Sequence, residues 1–101
     1  MANSMLGILI TKYENLEHIA GVAKAARAAG HPVMIFMTDE GVRFTRDAKF
    51  LDLLDVDGIE ISVCDHSCEQ LGIHDKTKGI FYGSQFNNAG MLHDSARVLV
   101  F

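Results

Sequence analysis

A chain of 101 residues holds one domain's worth of core and leaves no room for a second. Hydrophobic residues make up 49% and charged residues 22%, a globular balance that argues against disorder. The formal net charge of −4 removes the electrostatic footprint of a nucleic-acid binder or a basic membrane-surface protein.

Met5 to Ile10 is a continuous apolar run, the pattern of a strand buried on both faces of a parallel sheet. It is too short to cross a bilayer, and no basic segment precedes it as in a signal peptide, so the expectation is a cytoplasmic protein. Asn15 is placed to cap a helix in which Leu16, Ile19, Ala20, Ala23 and Ala26 recur at helical spacing. Gly30 and Pro32 stop that helix, and Val33 to Met37 is the next buried strand. Thr38 to Gly41 reads as a polar break. Phe50, Leu51, Leu53 and Leu54 mark a short helix ending near Asp57-Gly58. Ile59, Ile61 and Val63 alternate with Glu60 and Ser62 in a third strand that leads into Cys64. Asp65 to Leu71 reads as a helix, His74 to Gly79 as a loop and Ile80 to Tyr82 as a short strand. Gln85 to His93 reads as a helix and Val98 to Phe101 as the last strand.

This alternation predicts an α/β fold over residues 1–101. It is a single-domain, three-layer sandwich with a mostly parallel sheet of about five strands flanked by helices. Chemistry in such folds collects at the carboxyl ends of the strands. Those ends carry Thr11 to Tyr13, Thr38 to Glu40, and Cys64 to His66.

Several common motifs are missing. No G-x-G-x-x-G follows the first strand, and there is no P-loop, Cys-x-x-Cys or His-Glu-x-x-His. What remains is Cys64, which closes a strand and opens a helix, where unpaired backbone amides would stabilise a thiolate able to attack sulfane sulfur. The competing account of Cys64 is a buried small hydrophobe at a strand end. Cys68, one turn on, is either a resolving thiol pointing the same way or a helix cysteine packed under the sheet. Without a secretion signal the two are expected as free thiols. A Cys64–Cys68 redox disulfide needs the helix start to unwind. Protonated His66 would favour the Cys64 thiolate, whereas Asp65 would oppose it. Asp39 and Glu40 are either pocket-lining groups or ordinary turn residues.

The run Cys-x-His-x-Cys does not make a metal site, because helical residues two apart diverge by about 200°. His18 and His31 read as solvated, His74 as loop surface and His93 as a favourable charge at a helix end. Tyr13, Asn87 and Asn88 are possible polar contacts, and Met34, Met37 and Met91 are core or interface filler. The high apolar share of so small a chain suggests that some of it faces a partner.

Four segments in order carry a family resemblance. They are Gly30-His31-x-Val33, Met37 to Val42, Ile61 to Cys64 followed by Gly72-Ile73, and Ala96 to Phe101. Together they resemble the DsrE/DsrF-like (TusD/YchN-like) family of small sulfur-relay proteins. The resemblance covers nearly the whole chain. It implies a sulfurtransferase-like carrier that holds a persulfide on Cys64, uses no cofactor, and assembles into trimers or hexamers. It also implies donor and acceptor proteins as partners. Cys68 is outside the family pattern, and Ala96 stands where the family often has an acidic residue. The alternative is a non-catalytic homo-oligomeric subunit or small-ligand-binding module of the same fold.

Overall fold

The structure is a computed structural model describing residues 4–101; Met1 to Asn3, at the start of the segment read for a signal peptide, lie outside it. Five strands form one sheet: β1 (Leu6–Ile10), β2 (Val33–Met37), β3 (Ile59–Cys64), β4 (Ile80–Gly83) and β5 (Arg97–Val100). Their spatial order is β4-β3-β2-β1-β5 and every pairing is parallel. The sheet is therefore more uniform than the mostly parallel one expected. The helices are α1 (Leu16–Ala28), α2 (Ala48–Leu51), α3 (Asp65–Gln70) and α4 (Gln85–Asp94).

Topology decides which face each helix covers. From β1 to β4 the chain steps steadily toward one edge, then α4 carries it back across the sheet to β5. Right-handed crossovers place α1, α2 and α3 on one face and α4 on the other. Burial follows that division. Ile8, Ile10, Val33, Ile35, Ile61 and Val63 pack with Ile19 and Ala23 of α1, Phe50 of α2 and Cys68 of α3. The opposite face has a smaller cluster in which Met91 of α4 meets Phe36, Cys64, Leu9 and Met34. With one helix to cover it, this face leaves apolar side chains in water. Phe81 is 60% exposed, Phe86 84% and Val100 64%.

Local chemistry sets the ends of the elements. Gly30 at φ 88° ends α1, with its amide donating to the Arg27 carbonyl and the His31 amide donating to Ala26. Asn15 begins α1 through a left-handed backbone (φ 65°) and makes no side-chain cap, a correction to its expected role. The polar break after β2 is in fact a 3-10 helix over Asp39–Arg46, which buries Val42 and Phe44. Phe44 stacks on Phe50 with ring centroids 4.9 Å apart, and this pins the segment against the sheet.

Gly41 sits where the 3-10 helix crosses the end of β1, and an added Cβ would collide with the Ile10 carbonyl oxygen. That carbonyl also accepts the Thr38 amide at 2.9 Å, so neither partner has room to move. Gly41→Ala is expected to lower stability by about 2 kcal/mol, the usual cost of overpacking a tight site. A denaturant midpoint compared with that of Gly21→Ala, where nothing lies within 4 Å of the added carbon, checks it.

Candidate functional site

Parallel register brings the carboxyl ends of β2, β3 and β4 level. Met37 pairs with Val63, Val63 with Tyr82, and Cys64 with Gly83. The residues that follow line one cleft of ≈ 690 Å³: Thr38 and Asp39 after β2, Cys64 to Ser67 at the start of α3, and Gly83 to Gln85 at the start of α4. Gly83 faces Cys64 across the ladder, and a Cβ there would strike Asn87. The sulfur thus has a strand neighbour without a side chain.

Cys64 is the residue before the first turn of α3, with extended backbone angles (φ −76°, ψ 110°). It is 4% exposed and lines the cleft. No capping hydrogen bond closes on the neutral thiol. The thiolate is a stronger acceptor, and its surroundings treat it differently. Burial raises the Cys64 pKa, but donation from the Ser67 hydroxyl and amide, the Gln85 side chain and the His66 amide outweighs burial. The net result is a thiol held below its ordinary value.

Those donors are themselves held. Gln85 Nε2 donates to Thr38 Oγ1 at 2.9 Å, Thr38 Oγ1 lies 3.2 Å from Ser67 Oγ, and the Asp39 amide donates to Ser67 Oγ at 3.1 Å. Thr38 and Ser67 are both buried. Gln85 is the first residue of α4, whose start is fixed by a capping box between Ser84 and Asn87. Sequence reasoning missed Thr38, Ser67 and Gln85 as site residues. Ser67 alone left a signal, at the third helical position after a cap residue, where side chains return toward the cap.

The residues singled out beforehand are distributed unequally. His66 lines the cleft and contributes its backbone amide, while its ring is exposed. Asp39 adopts φ 51° to turn its amide toward Ser67, with its carboxylate at the rim. Asp65 is paired with Lys76 Nζ at 2.9 Å, which offsets its negative charge.

Of the two readings of Cys68 the structure shows the helix cysteine packed under the sheet, and it does not share Cys64's direction. It packs in the large core on the α1 side of the sheet, is 1% exposed, and is absent from the cleft lining. The one-turn rule failed because Cys64 has extended, not helical, backbone angles. Burial, followed by the charge of Asp65, raises the Cys68 pKa, so it is a poor nucleophile. Among the described residues both cysteines are free, and no group of three or more His, Cys, Asp or Glu side chains gathers to hold a metal.

No family model matches the sequence, and no curated protein matches it. The fold is shared with the ychN protein of E. coli, known from a crystal structure. The TM-score is 0.74 at 13% sequence identity, over 99% of this chain and 100% of that one. At that identity the likeness establishes the architecture.

Alkylation should separate the two thiols. Cys64 is expected to react with its half-maximal rate below the pH at which the unfolded chain ionises, and Cys68 to react on unfolding. Because the folded Cys64 pKa is lowered, the native state binds fewer protons than the unfolded state between the two values. Stability relative to Cys64→Ala should therefore rise with pH across that window and be lost as pH falls through the folded value. Peptide-resolved labelling and denaturant midpoints against pH check both statements.

Proposed function

We propose that this chain is a single-domain, DsrE/DsrF-like sulfur carrier of the cytoplasm, with Cys64 as the atom that holds the cargo. The observation that carries the reading is a thiol that lines a cleft beside Ser67, Gln85 and His66, polar surroundings that favour its ionised form. The shared fold of the ychN protein supports it. Among the described residues no helix is long and apolar enough to cross a membrane, which agrees with a cytoplasmic carrier.

The chemistry balances without a cofactor. The Cys64 thiolate attacks the outer sulfur of a donor protein's persulfide, R–S–SH. A Cys64 Sγ–S bond forms as the donor's S–S bond breaks, and the electron pair leaves with the donor as its thiolate. The hydrogen on the transferred sulfur travels with it, and there is no net oxidation or reduction. An acceptor thiolate repeats the attack on the Cys64 persulfide and regenerates the Cys64 thiolate. Hydrogen bonds that favour the thiolate make Cys64 both an attacking group at neutral pH and a good leaving group in the second step.

The same proposal includes self-assembly into trimers or hexamers. The lightly covered α4 face, with Phe81, Phe86 and Val100 exposed, is the surface that would be buried. That apolar face equally favours a second reading, an oligomeric subunit without sulfur chemistry.

Incubating the full chain with a persulfide donor and measuring intact mass separates the two readings. Sulfur carriage predicts a gain of about 32 Da, one sulfur atom, located on Cys64 and lost in Cys64→Ser. An oligomer that gains no mass, or gains it equally in Cys64→Ser, belongs to the second reading and defeats the first.

A further inference from the structure

We propose that the Cys64 cleft receives a positively charged partner: a cysteine segment of a sulfur donor or acceptor protein in which Lys or Arg flanks the cysteine. The inference deepens the sulfur-carrier reading and rests on it for its purpose, while the charge pattern stands on the geometry of the cleft.

Three carboxylates, Asp39, Asp65 and Glu69, line the cleft together with Cys64, and among the described residues no arginine or lysine does. Asp39 and Glu69 are exposed, and no ion pair reaches either. The cations nearby are engaged elsewhere. Arg43 holds Glu40 at 2.8 Å, and Lys76 holds Asp65 at 2.9 Å. His66 is the one lining side chain that becomes positive on protonation, and its ring is exposed. Thr38, Ser67, Gln70, Ser84 and Gln85 make the rest of the wall neutral and polar, so charge is the property by which this wall tells one reactant from another.

Toward the chain's own sulfur these carboxylates work in the wrong direction, because negative charge beside a thiol favours its protonated form. Persulfide exchange adds a second difficulty. When the donor's S–S bond breaks, its electron pair leaves on the donor sulfur, and a new thiolate emerges inside an acidic cleft. A Lys or Arg beside the donor cysteine answers both. It offsets Asp39 and Glu69 on entry, and it lowers the pKa of the departing thiol, which then leaves faster. An anionic sulfane compound such as thiosulfate meets the same wall with like charge. At ≈ 690 Å³ the cleft also has the size of pockets that take in drug-sized molecules, room for a cysteine together with its neighbours.

The test compares two thiosulfonate reagents of similar size, one bearing a trimethylammonium group and the other a sulfonate. Each leaves a mixed disulfide on Cys64 and releases methanesulfinate, so no oxidant is needed. Rates at Cys64 are read by peptide fragmentation in the full-length chain. The cation-to-anion rate ratio is divided by that of the urea-unfolded chain, which removes the reagents' intrinsic difference. The quotient is expected to be about tenfold at low salt, the lower end of the range for a cleft of one charge sign. It is expected to fall toward one in about 1 M salt, where the screening length is ~3 Å. Asp39→Asn combined with Glu69→Gln is expected to remove most of the preference, and Lys76→Met, which releases Asp65, to increase it. A quotient near one, or one that these substitutions leave unchanged, overturns the proposal, since the carboxylates are then merely solvated. Failure of both reagents to reach Cys64 in the folded chain overturns it as well.

Sulfur loading is read alongside from two persulfide peptides that differ only in having Lys or Glu beside the cysteine. Faster loading from the Lys peptide supports the proposal. Loading at equal rates, or faster from the Glu peptide, overturns it and keeps the carrier reading. A cationic preference with no loading from either peptide supports the charge assignment and removes the carrier reading.

Discussion

The level register of β2, β3 and β4 is the constraint from which everything else follows. Parallel strands joined in phase end on one edge, and there Met37, Val63 and Tyr82 form a row. Residues one to three places further along, Thr38, Cys64 and Gln85, then meet although 26 and 47 positions separate Thr38 from the other two. Slipping any of these strands by one residue would turn its side chains to the opposite face and dissolve the site. Core packing of Ile35, Ile61, Val63 and Ile80 on the α1 side is therefore what aims the polar groups on the cleft side.

The cleft departs from the use of charge to activate a thiol. Asp39, Asp65 and Glu69 are all acidic and all lie on its lining, an arrangement that by itself would keep a cysteine protonated. Lys76 offsets one of them by pairing with Asp65. The remainder of the task falls to hydroxyl, amide and backbone donors, whose strength comes from burial and alignment. Thr38 and Ser67 are shielded from water, so their hydrogen bonds are stronger than the same contacts at the surface.

Much of this fold was legible in the sequence, because the pattern that makes strands and helices also names them. Uninterrupted apolar runs at Met5–Ile10 and Val33–Met37 became neighbouring parallel strands, and the alternation through Ile59 to Val63 became the third. The 3-10 helix over Asp39–Arg46 was invisible for a physical reason. Its three-residue turn buries Gly41 with Phe44 and Val42 with Thr45, a repeat of three in which the two large apolar residues alone, two apart, give no helical signal. The cleft edge and the place of Cys64 on it could be located in advance, since topology fixes the edge and a cysteine closes the strand there. Thr38, Ser67 and Gln85 could not, because their significance lies in contacts made across the sheet. Cys68 lies under the sheet, as one of its two readings had it; the direction shared with Cys64 failed because a helical angle was counted from a residue that is not helical.

The claim at the centre of this account is that the fold stabilises the ionised sulfur of Cys64. Ultraviolet absorbance of the thiolate, titrated in folded and denaturant-unfolded Cys68→Ala protein, measures that stabilisation with no other thiol present. The account predicts that the folded sample ionises at the lower pH. Coincident titrations, or a folded sample that ionises at the higher pH, would contradict it.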